Sequence, residues 1–404
     1  MSVKRIGVIG LGQRTGHLLG TMREVGWAIQ LEGFVDPEPV GASILAEAGI
    51  SPARRFASAQ DLLVGPPLDL VMIGSPNHLH LEHLLAACEA STPIFVEKPI
   101  VRTAEESFAL AKRLAEEPAP PIFVGLVMRS MPLVKEMLAR VRSGELGEIV
   151  SIDATEHLPV EHGAYLARNW RRRAQWGGSF LLDKVCHDFD IFSLIAGSRA
   201  MRAASFGGRR IFHPARCDEP RTYENGETAY AMREAGWAAA PDAFTSDMDV
   251  NDFQTATLQY ASGAALAFHS NTQVSLVERR WYVAGTTGTL LADLSRNKLM
   301  VRRSLDRRKP ERMSFEGRTL DGHNGADEAM VLDLLAAIEG RADFPAGPVE
   351  ALEAGLTVMA LDEAQRRGAV VDLAPTWERL DPFLAASGQR NPSLRREATR
   401  VEIQ

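Results

Sequence analysis

The sequence predicts an α/β chain of two domains. A doubly wound parallel sheet should occupy about 1–128. An α+β domain with a large, mainly antiparallel open sheet should follow over 129–384. Three observations carry this prediction. The chain has 404 residues, more than one domain usually holds at about 150 residues each. Its first third alternates short apolar strands with helical stretches, the pattern of βαβ units. Its later part carries longer strands with two different faces, which mark an antiparallel sheet beside helices. The composition, 45% hydrophobic and 24% charged, is that of a chain able to bury a core in each domain. It excludes a disordered or fibrous chain.

The elements follow in order. Residues 4–9 (KRIGVI) read as a short buried strand, 10–16 as a glycine-rich turn and 17–27 as a helix. A second strand covers 29–35 and ends at Asp36, and 40–48 reads as helical. Residues 68–73 form a third strand, after which Asn77 caps a helix through Ala90. A fourth strand at 94–96, a helix at 104–116 and a fifth strand at 121–127 complete the first domain. In the second domain, 132–143 and 178–196 read as helices. Strands are expected at 149–157, 203–210, 253–260, 264–271, 279–284, 288–293 and 298–303. TATLQY and AALAFHS, joined by ASG, form a hairpin. Residues 211–250 read as an irregular insertion, long enough to suggest a functional loop or lid. Helices at 326–339 and 348–367 close the fold, and 385–404 is a polar tail.

The formal net charge is −7, which gives no footprint for nucleic acid or an anionic membrane surface. The apolar runs fall far short of the roughly 20 residues a membrane helix needs, and the N-terminus has no signal-peptide pattern. Cys88, Cys186 and Cys217 are sparse and lack a CxxC spacing. That fits a reducing compartment, and a cytoplasmic location is expected.

The glycine turn carries the first chemistry. Gly10-Leu11-Gly12-Gln13-Arg14-Thr15-Gly16 follows a strand and opens a helix. The first glycine permits the tight turn, and the second lets backbone approach a pyrophosphate. The helix N-terminus then supplies N–H donors and a positive dipole end. The third glycine comes one residue late, with Thr15 in its usual place. Asp36 lies 20 residues beyond Gly16 at the end of the next strand. Its carboxylate is suited to ribose hydroxyls and repels a 2′-phosphate, which favours NAD; Arg14 keeps NADP open as the alternative. Gly10, Gly12, Gln13, Arg14, Thr15 and Asp36 are therefore the expected cofactor contacts. Ser75 and Asn77, in SPNHLH, follow the third strand at the carboxyl edge of the sheet, where ligands of open α/β sheets bind. His78, His80 and His83 crowd one turn without matching ligands elsewhere, so no metal is expected.

Two further motifs matter. Glu97-Lys98-Pro99 follows the fourth strand at the same edge. It reads either as an ion pair closing a strand or as an oriented lysine. Asp183, His187 and Asp190 recur at i, i+4 and i+7, within a sector of about 60° on a helix. A carboxylate one turn from a histidine can orient the ring and stabilise its imidazolium, as a general base for an alcohol requires. A buried, hydrogen-bonded histidine beside a helix-end aspartate would give the same spacing.

GVIGLGQRTG, Asp36, SPNHLH, VEKP, RSGELGEI, GGSFLLDKVCHDFD and GTTGTL, in this order, resemble the Gfo/Idh/MocA oxidoreductases, named for glucose–fructose oxidoreductase and inositol dehydrogenase. The resemblance spans about 4–370. It implies a Rossmann domain that binds NAD or NADP, followed by an α/β domain with an open sheet that commonly builds homodimers or homotetramers. It implies hydride transfer to or from a secondary alcohol of a sugar, inositol or glycoside. By position, Lys98 would stabilise the alkoxide or carbonyl oxygen, His187 would be the acid/base, and Asp183 would orient His187 and touch substrate. Asn77, His80 and Glu97 would line the cofactor, and Asp190 would bind substrate or close its helix. His162, Tyr165, Trp170 and Arg171 are expected along the substrate pocket. Arg168, Arg171, Arg172 and Arg173 offer either an anion site or a solvated face. His323 lies in a GHNGAD loop that resembles one facing sugar in a branch of the family, although a helix cap there is an equal reading. That branch often carries extra cysteines in 211–250; here only Cys217 remains, so no metal is expected there. An NAD-recycling glycosidase or lyase, a non-catalytic NAD sensor and a dihydrodiol or imine dehydrogenase are the other readings.

Overall fold

The first strand, β1 (Lys4–Ile9), ends in four buried residues and leads straight into helix α1 (Gln13–Glu24). The structure, a computed structural model, describes residues 3–51, 53–230, 236–315 and 324–387. There follow β2 (Ile29–Val35), α2 (Ala42–Glu47), β3 (Arg54–Arg55), α3 (Ala59–Leu63), β4 (Leu70–Ile73), α4 (His80–Cys88), β5 (Ile94–Val96), α5 (Ala104–Glu116) and β6 (Ile122–Val124). These strands pair in parallel in the order β3-β2-β1-β4-β5-β6, a Rossmann sheet. β4 and β5 are buried on both faces, as a parallel sheet under two helix layers requires. The register aligns Ile9 with Val35 and Ile73, and Ile73 with Val96. The glycine turn, Asp36, Ser75 and Glu97-Lys98 therefore all leave from one edge of the sheet.

Several local details differ from the sequence expectation. Helix α1 begins at Gln13, not at 17, so the turn is only Gly10–Gly12 and Gly16 lies inside the helix. Gly16 lets α1 approach the next helix closely: a Cβ there would stand 2.8 Å from the Gly41 carbonyl oxygen. The short β3 and α3 were not anticipated; Ser58 caps α3 by accepting the Asp61 N–H at 3.1 Å. Asn77 stands inside the turn that precedes the helix, not at its cap position. The chain forms a 3-10 turn over Asn77–Leu79, with Pro76 at its cap, before α4 begins. Helix α5 falls where the sequence placed it, closed by a Thr103/Glu106 capping box.

The remaining elements are α6 (Pro132–Arg142), β7 (Ile149–His157), α7 (Val160–Arg168), α8 (Ala174–Gly177), α9 (Phe180–Ala196), β8 (Ala200–Gly208), β9 (Phe253–Tyr260), β10 (Ala265–Asn271), β11 (Glu278–Gly285), β12 (Gly288–Asp293), β13 (Lys298–Arg303), β14 (Glu311–Ser314), α10 (Ala326–Ile338), α11 (Pro348–Arg367), β15 (Val371–Asp372) and α12 (Ala374–Ala386). Among the described residues they build a nine-stranded sheet, β14-β13-β12-β11-β7-β10-β9-β8-β15. Only β7 and β10 run parallel within it. Phe189 and Phe192 of α9 meet Phe268 and Trp281 of the sheet edge-on or tilted, at 5.2–5.9 Å between rings. No helix among the described residues is long and apolar enough to cross a membrane.

The chain packs as two compact units that are not two consecutive stretches. One gathers Met1–Met131, Leu320–Gly355 and Glu378–Arg390; the other gathers Pro132–Thr319 and Leu356–Trp377. The first unit thus includes α10, which the expected boundary at 128 assigned to the second. In that unit Val124 N–H donates to the Ala346 carbonyl at 3.0 Å, and Phe123 packs edge-on against Phe344. The expected tail from 385 starts within α12, and 388–404 lies outside the described residues.

Among its described residues the insertion at 211–250 carries almost no regular structure, but it has its own small core of Phe212, Ala243, Phe244, Met248 and Val250, packed with Ala167 of α7. Arg209 donates to the carbonyls of Phe212, Phe244, Ser246 and Met248. The Asp252 carboxylate accepts the N–H groups of Arg210, Ile211 and Phe212. Buried polar anchors stand in for the ladders that strands would supply.

Candidate active-site residues

In the first unit the turn after β1 is shaped for a ligand. Gly10 has a φ of +89°, and a Cβ there would lie 2.2 Å from the Ser75 backbone nitrogen, so only glycine lets the exits of β1 and β4 meet. At Gly12 a Cβ would meet open space, and the N-terminus of α1 has no side-chain cap and no acidic residue in its first turn. The N–H groups that open a helix and its positive dipole end suit a pyrophosphate. Asp36 stands beside this turn and accepts the Glu38 N–H at 2.7 Å. Burial raises its pKa above the ordinary carboxylate value, while hydrogen bonds from the Glu38 and Leu11 backbone pull the other way.

The other predicted contacts have varied roles. Thr15 is buried and its hydroxyl donates to the Gly10 carbonyl at 2.9 Å, closing the turn from inside. Arg14 pairs with Glu97 at 2.9 Å and, in a fork, with Asp327 at 2.6 and 2.7 Å. Burial opposes its charge, but these two carboxylates outweigh it and raise its pKa. Glu97 also accepts the Lys98 N–H at 3.2 Å, so its carboxylate ties the EKP strand end to α1. The buried His80 ring bridges the carbonyls of Ser75 and Pro99 at 2.9 and 2.8 Å, so it braces the loop after β5. Ser75 Oγ contacts His83 Nδ1 at 2.9 Å, and burial, with repulsion from His80 and His78, lowers the His83 pKa to about 4. Asn77 is buried and Lys98 half-buried.

In the second unit Ser179 caps α9 by accepting the Leu182 N–H. Asp183, His187 and Asp190 are all buried on this helix. Asp183 accepts from Arg171 Nε at 3.2 Å. Arg171 in turn donates to the Tyr165 hydroxyl at 2.7 Å and to Asn169 at 3.0 Å, and lies 4.1 Å above the Trp170 ring. His162 meets Tyr165 edge-on at 6.2 Å. The fold thus brings together Tyr165, Trp170, Arg171 and Asp183. Arg168, Arg172 and Arg173 instead hold the insertion, through the carbonyls of Tyr230, Ala238 and Ala240 and the carboxylates of Asp247 and Asp249. His323 lies outside the described residues.

Sequence reasoning missed a buried charge cluster around His187. Its Nε2 is 3.4 Å from Asp188 Oδ2. Arg279 of β11 forks onto Asp188 at 2.6 and 2.7 Å and stands 3.6 Å from Glu156 of β7. Lys184 pairs with Glu156 at 3.3 Å. Burial pushes the Asp188 carboxyl up, although Arg279 opposes the rise. Burial alone would raise Glu156 too, but Arg279 and Lys184 outweigh it and hold Glu156 at about 2. The signal was available. Glu156 is in phase with buried Ile152 and Ala154, and Arg279 with buried Trp281 and Val283. A charge on the core side of a strand needs a buried partner.

A parallel sheet in Rossmann order, a ligand-ready glycine turn at its switch point and an acidic residue after β2 define a dinucleotide-binding protein. Residues 4–125 match the model of an oxidoreductase family with an NAD-binding Rossmann fold, and residues 134–291 match the GFO/IDH/MocA C-terminal domain. The chain belongs to the Gfo/Idh/MocA family of NAD-binding oxidoreductases. It is 26% identical over 197 residues to inositol 2-dehydrogenase of Corynebacterium glutamicum, covering 49% of this chain and 55% of that one. It is 29% identical over 205 residues to levoglucosan dehydrogenase of Pseudarthrobacter phenanthrenivorans, covering 48% and 51%. These alignments span about half the length of either relative. A solved structure of levoglucosan dehydrogenase in complex with NADH and levoglucosan superposes with a TM-score of 0.72 at 20% identity, over 92% of this chain and 100% of that one. At that identity the likeness is one of fold.

Proposed function

We propose that the protein is an NAD-dependent dehydrogenase acting on a secondary alcohol of a sugar, inositol or glycoside, with His187 as acid/base and Lys98 stabilising the substrate oxygen. The carrying observation is the buried α9 face. It sets His187 among fixed charges, one turn from an aspartate that joins an aromatic and arginine wall. That is the equipment of a proton acceptor beside a hydroxylated substrate. Names among the relatives, inositol 2-dehydrogenase and levoglucosan dehydrogenase, support the substrate class.

The backbone of Gly12 and the first turn of α1 would hold the pyrophosphate, and Asp36 the ribose hydroxyls. Bound NAD supplies the hydride acceptor. His187 takes the hydroxyl proton, and the buried charges beside it stabilise the imidazolium. The Lys98 ammonium offsets negative charge on the oxygen as that proton leaves. Tyr165, Trp170, Arg171 and Asp183 orient the sugar. The homodimer or homotetramer is proposed to form through the solvent face of the nine-stranded sheet.

The test is the near-ultraviolet absorbance of reduced nicotinamide, followed with NAD⁺ and a panel of inositols, aldoses and glycosides. Wild type should show a rise with at least one member. His187→Ala should lose about 100-fold or more in turnover while keeping its NAD affinity. Tight NAD binding with no rise for any substrate would count against net alcohol oxidation.

A further inference from the structure

We propose that Asp188, clamped by Arg279, is the positioning residue of His187, an assignment that rests on the proposed role of His187 as acid/base. Asp188 follows His187 directly on α9, yet its carboxylate folds back to within 3.4 Å of the imidazole Nε2. It cannot swing away, because Arg279 holds both of its oxygens in a fork. Bidentate pairing of this kind fixes direction as well as charge. Arg279 is itself seated on β11 opposite Glu156 of β7, its strand partner in register. The ring is thereby referred to the centre of the nine-stranded sheet and not only to its own helix. The i, i+4 aspartate, Asp183, belongs with Arg171 and the wall.

Charge balance gives the arrangement its consequence. Carboxylate oxygens of Asp188 and of Glu156 of β7 lie within 4.8 Å of a His187 ring nitrogen, and Lys184 of the same helix and Arg279 of β11 pair with them. His162 of α7 acts on Glu156, and Asp183 and Asp190 complete the charges of α9. With Asp188 ionised in the Arg279 fork, the inner four, two carboxylates and two cations, cancel. A proton on His187 therefore adds a net positive charge to a buried site, and the Asp188 carboxylate is the neighbour that compensates it. Histidine and aspartate so close titrate as a pair.

The test uses full-length protein with NAD bound and reads two things. One is the titration of His187 by nitrogen-15 NMR of labelled histidines, assigned with His187→Asn. The other is the acidic limb of the kcat/KM profile. In Asp188→Asn both should move to lower pH by about one unit or more, with kcat falling more than KM changes. Asp188→Glu should restore much of the shift. Arg279→Met should move both to higher pH, because it leaves the carboxylates in excess. The opposite signs cannot come from a loss of packing alone. If Arg279→Met does not fold, Arg279→Lys keeps the charge and should leave the titration near that of wild type while lowering kcat. A His187 titration unmoved by Asp188→Asn overturns the proposal. A titration that moves while the kinetic limb stays still upholds the Asp188–His187 pair and overturns His187 as the acid/base.

Discussion

Arg14 shows what a residue type can and cannot say. In the sequence it sits in a phosphate-binding turn and could have been read as a partner for a 2′-phosphate. In the fold its guanidinium is held by Glu97 and Asp327, residues 83 and 313 positions away. No local pattern contains that information. Asp327 is fully buried, so removing the arginine strands a buried carboxylate. Arg14→Met should cost about 3 kcal/mol of stability, read as a lower denaturant midpoint; a loss under about 1 kcal/mol would show that the pair behaves as a surface contact. The position of Asp36 at the end of β2 was legible, because it follows from strand length and turn spacing alone. Asp36→Asn should weaken NAD binding by about 10- to 100-fold, the worth of one or two hydrogen bonds to a charged group. It should also narrow the preference over NADP. Calorimetric titration with both nucleotides checks this, and an unchanged NAD/NADP ratio would remove Asp36 from the ribose site.

Elements were legible where one period dominates. The strands at β7, β9, β12 and β13 and the helices α5 and α11 appear at the expected bounds, and β9 and β12 with clean alternation, α5 with a capping box and α11 with a long helical pattern show why. Helix α7 was missed because His162-Gly163 interrupts it with weak helix formers, and α12 because Pro382 stands inside it. Polar residues that brace one element against another were also hidden. Asp362 of α11 is half-buried, accepts from Gln254 of β9 at 3.2 Å and is bonded by the α9 cap Ser179. Burial raises its pKa to about 6, against those hydrogen bonds. The folded protein therefore holds this proton more tightly than the unfolded chain, whose carboxyl titrates near 4. The associated stability is full below about pH 4, falls as pH rises through 6 and is lost above that. Asp362→Asn keeps an acceptor for Gln254 and removes the ionisation, so above pH 6 it should be more stable than wild type by about 3 kcal/mol. Denaturant unfolding at pH 5 and pH 8 should show that advantage growing with pH. An advantage that does not change with pH would mean that Asp362 stays in one protonation state throughout.

At the scale of the whole molecule, topology was easier to foresee than partition. Alternating strands and helices dictate a parallel sheet, and the edge that carries its ligands follows from strand direction. That α10 belongs with the first unit was not legible, since a helical stripe shows that one face is buried without showing against what. The second sheet leaves the corresponding question on its outer surface. Its inner face carries Ala154, Ala256, Phe268 and Trp281, all buried. Its outer face presents Asp153, Thr257, Ala267, His269 and Tyr282, with Phe206 75% exposed. A sheet face that carries small, β-branched and aromatic side chains around an Asp153–Arg280 pair suits a second copy of the same sheet. Sedimentation equilibrium should give two or four times the chain mass. Thr257 and Ala267 are cross-strand neighbours, so Thr257→Asp with Ala267→Asp places two charges where an isologous interface would set them against their own copies. The double variant should sediment as a monomer with its NAD affinity retained, because the glycine turn and Asp36 lie on the other sheet. A monomeric wild type would overturn the oligomer outright, and an oligomer that survives both charges would place its interface away from this face.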